Sequence, residues 1–441
     1  MASTHPTPHA LDSGSATPGA QAPTAKAHVA KATTAQATTA EAAAPKPRVI
    51  AVVGIVAVVL IGLNLRAGIT SAAALFHELQ GFLGYGALVA SILPSIPLLC
   101  FAVAGMGTSW LSRRIGVEKS ILVALAMLAA GLLVRSIPAT GALLAGTVLA
   151  MSGLAVCNVA MPSYIREHYA AKTSMMTGLY TFTMSGGATF AAAVSVPLAQ
   201  QLGSPSLGLG AWGILGVAAL LGFLPMVLHT HRNSRKANRD HISMWPLLRT
   251  RLGFLITAIF TLQAFLAYAV MSWFAYILTN QGLSASESGL QFGLMQLVSV
   301  AAGMVLLAIG SRPRMMRPAL YLGSGTTLLG VPAMLWLPTS FAAVPAVLFG
   351  FGLGIFPLVL VIISRSGRTT AETTAMSTIA QSLGYLIAAL GPFGMGLIHS
   401  ATGAWTLPLA LLAVVALALM VTCHLLTSKR TPIKAGPRTV A

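Results

Sequence analysis

From residue 49 onward, runs of twenty or more apolar residues alternate with short polar breaks. A helix rises about 1.5 Å per residue, so about 20 such residues cross a bilayer's hydrocarbon core. Twelve runs reach that length: 49–76, 86–109, 119–138, 141–164, 173–200, 209–228, 252–280, 287–310, 317–337, 341–364, 373–398 and 404–427. Proline recurs inside them (Pro94, Pro97, Pro162, Pro197, Pro357, Pro392). Membrane bundles tolerate such breaks because neighbouring helices satisfy the freed backbone groups. The pattern predicts an all-α integral membrane protein of twelve transmembrane helices.

The polar positions test that count. Of 26 Lys and Arg residues, all but Arg66 and Arg135 fall in the N-terminal segment, in breaks that follow even-numbered spans, or in the C-terminal segment. This asymmetry follows the positive-inside rule and places both termini in the cytoplasm. Arg135 is expected in an outer loop, and Arg66 inside the first span. The twelve spans form two six-helix bundles, 48–228 and 252–427, joined by a basic cytoplasmic linker, 229–251, and followed by a basic tail, 428–441. Residues 1–47 are rich in Ala, Thr, Pro and His, bury too little to offset the entropy of ordering, and are expected to be a disordered cytoplasmic tail.

Composition agrees. The chain is 56% hydrophobic and 8% charged, against roughly 25% charged in soluble proteins, too little to coat a water-facing surface. The net charge of +18 would suit nucleic acid, but it is spread in short clusters between apolar runs, so the bilayer is the expected partner and nucleic acid is not. Cys100, Cys157 and Cys423 have neither metal-ligand nor disulfide spacing and read as packing residues. No metal cluster, nucleophile–base pair or phosphate loop appears, so no cofactor, no metal and no enzyme are expected. Gly350, Gly352 and Gly354, inside a span, read as a packing face.

The halves echo each other at an offset near 198 to 200: Ala104-Gly105-Met106 before Arg113 and Arg114, Ala302-Gly303-Met304 before Arg312 and Arg314, and Arg166 against Arg365. Parallel six-helix repeats mark one transporter architecture, with its site between the halves near the midplane. Twelve spans, paired halves and a basic central loop resemble the major facilitator superfamily. The break LSRRIGVEKSIL, 111–122, is similar to that superfamily's signature loop through Arg114 and Gly116, although Arg113 stands where an Asp is usual. The Arg-Arg form resembles the cyanate/2-nitroimidazole permease (CynX/NimT) family. So do Asn64-Leu65-Arg66 with Ile69-Thr70-Ser71, Leu98-Leu99-Cys100-Phe101, Asn158 to Pro162, Met176 to Tyr180, Gln263 with Tyr268 and Trp273, Gln381 to Tyr385, Gly391-Pro392 and Gly403-Ala404-Trp405. Cys157 replaces the usual Gly before the fourth-helix Asn.

Arg66 is the residue that asks for a function. It lies roughly 5 Å from the midplane, where a charge costs about 2.5–3.5 kcal/mol. Guanidinium offers a planar fork of donors for carboxylates and small oxyanions and stays charged at any working pH. No acid is placed to pair with it: of the eight, Asp12 and Glu41 are in the tail, Glu118, Asp240 and Glu372 in inner loops, Glu167 at an inner helix end, and Glu78 and Glu287 near outer ends. Arg66 is therefore expected to be the anion-binding centre, with a structural role toward neighbouring carbonyls as the alternative. Around it, Asn64, Thr70, Asn158, Gln263 and Gln381 are candidate polar partners of a substrate, and Tyr180, Tyr268, Trp273 and Tyr385 candidate pocket walls; bridging or packing is the alternative for each. Arg113 and Arg114 are expected to cap helix ends and lock loops in an outward-open state. His77 and Glu78 read as an outer-mouth pair that is either solvated or proton-sensing.

The expected function is secondary active or facilitated transport of a small polar or anionic solute (cyanate-like, nitroimidazole-like or a small carboxylate) by alternating access. The alternative is an efflux pump for small planar xenobiotics. A receptor or scaffold that moves nothing is a third reading. The predicted core lacks the buried carboxylate that many proton symporters use, so uniport, exchange or substrate-linked coupling is expected, with protons retained as a coupling ion through the mouth histidine. A monomer in a bacterial inner membrane is the expected form.

Overall fold

The computed structural model describes residues 47–229, 244–312, 314–367 and 369–428. All but residues 47 and 428 of the expected tails, 1–47 and 428–441, and most of the expected linker, 229–251, lie outside the described residues. Within them run twelve long helical segments: α1 (Pro47–Ala74), α2 (87–115), α3 (Val117–Val134), α4 (Thr140–His168), α5 (Thr173–Gln201), α6 (Pro205–Leu228), α7 (Arg251–Asn280), α8 (Ala285–Gly310), α9 (Met316–Trp336), α10 (Ala343–Ser364), α11 (Glu372–Thr402) and α12 (Thr406–Leu426). Eleven of them are long and apolar enough to cross a membrane. The exception is α9, whose centre carries Gly323-Ser324-Gly325-Thr326-Thr327. Its three hydroxyls all bond back to its own backbone, Ser324 to Leu320 O (2.8 Å), Thr326 to Gly323 O (3.0 Å) and Thr327 to Gly323 O (3.2 Å).

Small residues set the packing, because a bilayer offers helices little hydrophobic reason to associate and close backbone approach must supply the contact. A Cβ on Gly187 of α5 would run into the carbonyl of Leu63 on α1, and one on Gly131 of α3 into the backbone of Ala150 on α4. In the second half Gly350 faces Met295 of α8, Gly352 faces Thr327 of α9, and Gly354 faces Ala302 of α8. These three glycines are a packing face, as their position inside an apolar run implied. Pairings repeat between the halves: α1 on α5, α3 on α4 and α3 on α6 are matched by α7 on α11, α9 on α10 and α9 on α12. The halves meet along α5 and α8, where Gly289 and Gly293 sit over Ala192 and Ala193, and along α2 and α11.

Besides α6, which is interrupted at Ala211, three segments are broken at prolines. In α2 a 3-10 turn, Leu93–Ser95, carries Pro94 and precedes Pro97. α10 opens at Gly354-Ile355 before Pro357, and α11 at Ala389 before Pro392. Proline removes an N–H from each ladder and crowds the preceding turn. Two carbonyls beside the break in α11 take donors from other helices: Ser95 Oγ donates to Ala389 O (2.9 Å) and Trp273 Nε1 to Pro392 O (2.9 Å). One end of the bundle, called the basic end below, holds Arg113, Arg114, Arg166 and Arg365. The other, the opposite end, holds the short helix Phe76–Leu83 and the turns at Gly203, Gly282 and Gly403.

Adjacent glycines test this account. Gly187→Ala should destabilise the bundle by about 1–3 kcal/mol through overpacking on Leu63. A Cβ at Gly186 meets nothing within 4 Å, so Gly186→Ala should hold or slightly raise stability through helix propensity. Thermal unfolding of the two variants in detergent reads the contrast, and equal midpoints would contradict the α1–α5 packing.

Candidate functional site

Arg66 is half-buried on α1 at the junction of the halves. Its Nη1 lies 3.8 Å from the Met271 sulfur of α7, a weak acceptor. No carboxylate pairs with it: the one ion pair among the described residues is His168 with Glu118 (3.3 Å), between α4 and α3. Three buried phenols lie within electrostatic reach of the guanidinium: Tyr180 of α5, Tyr268 of α7 and Tyr385 of α11. The first belongs to one half of the protein, the other two to its counterpart. Tyr180 Oη is buried with no hydrogen-bond partner. Phe101 of α2 closes the group, 5.3 Å from the Tyr385 ring and 6.4 Å from Tyr268, and Tyr268 and Tyr385 meet edge to face at 6.2 Å. Gln263, five residues before Tyr268, is buried with its amide nitrogen unpartnered. Asn158 of α4 is half-buried, and its side chain makes no hydrogen bond among the described residues.

A charged fork, unpaired amides and phenols from both halves offer hydrogen-bond donors where the halves meet. The sequence match decides what kind of protein holds them. Residues 56–392 match the family model described as Major Facilitator Superfamily. The chain belongs to the Major Facilitator Superfamily. It is 31% identical over 361 residues to the uncharacterized transporter YycB of Bacillus subtilis (strain 168), covering 81% of this chain and 89% of that one. To the 2-nitroimidazole transporter of Escherichia coli (strain K12) it is 29% identical over 384 residues, covering 84% and 94%. To that strain's cyanate transport protein CynX it is 27% identical over 365 residues, covering 82% and 94%. The fold is similar to that of the nucleoside transporter NupG, with a TM-score of 0.72 at 10% identity, covering 84% of this chain and 98% of that one. This is a multi-pass membrane transporter of the superfamily.

Within that frame the other candidates take structural positions. Asn64 does not join the central group: its amide nitrogen donates to Leu60 O and to Leu215 O, both 2.9 Å, and ties α1 to α6. Thr70 is fully buried and donates to the Arg66 carbonyl (3.0 Å), not into a pocket. Trp273 is held on Pro392 O and packs among Tyr276 and Trp405 near the opposite end. Gln381 donates to Ser377 Oγ on its own helix (2.8 Å). Arg113 and Arg114 occupy the last turn of α2, where cations favour the helix dipole. Arg114 also lies 4.3 Å over the Trp110 ring. Gly116 makes the α2–α3 turn at φ +90°, a conformation that glycine adopts freely.

Arg135 is the main correction. It lies in the turn that follows α3, as expected, but it is buried there: it is 1% exposed and donates from Nη1 to Gly68 O of α1 (3.0 Å). Gly146 of α4 leaves room for its stem, since a Cβ there would crowd Arg135 Cγ at 3.1 Å. Arg66 is therefore one of two guanidiniums held inside the bundle. The charge count placed Arg135 in an outer loop and said nothing of its depth. The signal that could have found it is Gly131 on the same helix, opposite the glycine at 146. Phe101 was visible as a motif residue but not as a site residue.

The group around Arg66 is sealed toward the opposite end. Tyr276 Oη donates to Gln80 Oε1 (3.0 Å), His77 meets the Tyr276 ring edge to face (5.1 Å), Ser95 binds Ala389, and Ser286 donates to Gln200 (3.2 Å). All four contacts cross between the halves. His77 is exposed, but Glu78 is not a solvated loop residue: its Oε2 is buried without a partner. Burial raises the Glu78 carboxyl above its ordinary range and lowers the His77 imidazole.

The folded protein thus holds the Glu78 proton more tightly than the unfolded chain. The contribution of Glu78 to stability is largest below its unfolded pKa and is lost as pH rises through the raised one. Glu78→Gln should therefore gain thermal stability over the parent, by a margin that is negligible near pH 4 and grows toward neutrality. His77 is common to both proteins and drops out of the difference. A margin that does not change with pH would contradict the buried placement of Glu78.

Proposed function

We propose that this transporter moves a small polar or anionic solute (cyanate-like, nitroimidazole-like or a small carboxylate) across the bacterial inner membrane by alternating access, with Arg66 as its anion-binding group. The observation that carries the proposal is the convergence of Tyr180, Tyr268 and Tyr385, from both halves, on a guanidinium that has no acid. A ligand gripped by both halves is the element that couples binding to their relative motion. Two relatives covered over 94% of their length are named for 2-nitroimidazole and cyanate, both small and polar, which supports the same solute class. Asn158 and Gln263 are the amides proposed to complete the site. Asn64, Thr70, Trp273 and Gln381 are proposed to hold its walls.

The topology proposed is twelve spans with both ends cytoplasmic. α9, at 21 residues, is about 31 Å long, which matches the hydrocarbon thickness. Its hydroxyls are already bonded, so the polar run that lowers its apolarity costs less in lipid than composition implies. A crossing α9 also keeps Arg312, Arg314, Arg317, Arg365 and Arg368 on one side of the membrane. With that orientation the sealed opposite end is the outer gate, and the conformation is closed to the outside. No carboxylate acts on the three phenols, which favours uniport, exchange or substrate-linked coupling over a mid-membrane proton carrier.

The test is a thermal-shift and proteoliposome-uptake screen of cyanate, 2-nitroimidazole and short carboxylates. The expected result is a ligand that stabilises the parent and is taken up. Arg66→Ala should weaken its binding by about ten- to a hundredfold, from loss of a charged hydrogen-bond donor worth about 1.5–3 kcal/mol. Arg66→Lys should recover only part, because the planar fork is missing. A ligand bound equally well by the parent and by Arg66→Ala would overturn the role given to Arg66.

A further inference from the structure

Toward the opposite end from Arg66, a small enclosed cavity lies among α1, α2, α3, α4 and α7. Arg135, Gly68, Pro94, Tyr268, Met271 and Ser272 contribute to its lining, and no acidic residue lines it. It offers about 20 Å³ to the centre of a water-sized sphere, and about 10–15 Å³ is enough for one water. Three donors on this lining lack an acceptor. Arg135 Nε is fully buried and unpartnered, although Nη1 is taken by Gly68 O. The hydroxyls of Ser272 and Tyr268 make no hydrogen bond among the described residues. The cation that faces this space has no ion-pair partner among the described residues.

We propose that this cavity is a second anion site, built to hold one small monoanion of halide or linear triatomic size on Arg135, Ser272 and Tyr268. Electrostatics gives the sign: a guanidinium without an ion-pair partner in a low-dielectric, mostly apolar space attracts an anion and repels a cation. Volume gives the size: the space takes a chloride or a cyanate and excludes an aromatic ring. Placement gives the relation to the transport site. Met271 lines the cavity and also touches Arg66, so one thioether separates the two cationic centres. Tyr268 likewise belongs to both. The anion on Arg135 is therefore one side chain away from the Arg66 group, on its outer-gate side.

The chemistry has two sources, bulk halide or the transported anion, and titration separates them. The full-length protein is placed in detergent with gluconate as the sole anion, then titrated with chloride, bromide or cyanate while its unfolding midpoint is followed. A saturable rise is expected in the parent and in Arg66→Gln, and its loss is expected in Arg135→Gln. Ser272→Ala should shift half-saturation by about fivefold, the effect of one neutral hydrogen bond. Stabilisation by all three anions identifies a resident bulk anion; stabilisation by cyanate alone identifies a station for cargo. No rise in the parent, or the same rise in Arg135→Gln, overturns the proposal. Should Arg135→Gln not fold, the chloride NMR linewidth of Arg66→Gln decides: excess broadening displaced by bromide is expected, and none overturns it. Persistence in Arg66→Gln also keeps this outcome separate from the fate of the Arg66 site.

Discussion

A guanidinium withdrawn from bulk water must be given something to donate to, and the desolvation it suffers amounts to several kcal/mol even after relaxation. Among the described residues, this protein withdraws two and sets no acid beside either. Arg135 receives a carbonyl, Gly68 O. Arg66 receives only a thioether sulfur and a surround of phenols. The difference is one of degree: Arg135 braces α1 through Nη1 and leaves Nε without an acceptor, while Arg66 has no oxygen acceptor among the described residues. Much of the central architecture follows from leaving Arg66 in that condition. Asn64, two residues away, is turned to α6 by Leu215 O, and Thr70 is turned back onto its own helix. Neither competes for the fork.

The second constraint is the slab itself. A hydrocarbon layer fixes the length of every crossing and forbids unpaired backbone within it, and for that reason the helices were legible in the sequence almost to their ends. The charge bias between loops carries the orientation proposed above. α9 falls short on composition, because its centre is a run of Gly, Ser and Thr, although the hydroxyls of that run are bonded to Leu320 O and Gly323 O. The site was legible in part. Arg66 stood out because charge in an apolar run is costly, and Tyr180, Tyr268 and Tyr385 were named with it. Depth was not legible for Arg135, because it depends on a glycine eleven residues further on, across a helix crossing. Trp273 and Asn64 looked like ligands because their spacing says nothing about which neighbouring carbonyl claims their N–H.

The break in α11 has a mechanical meaning. Two carbonyls beside it are held by side chains of different allegiance: Trp273 belongs to the same half as Pro392, whereas Ser95 belongs to the other half. In the proposed alternating-access cycle, opening of the opposite end carries Trp273 with the helix and leaves Ser95 behind. One bond is kept and one is surrendered, and the surrendered carbonyl lies where entering water can take the place of Ser95. The fracture in the helix thus works as a latch with a spare catch, released at the cost of a single hydrogen bond that the solvent itself restores.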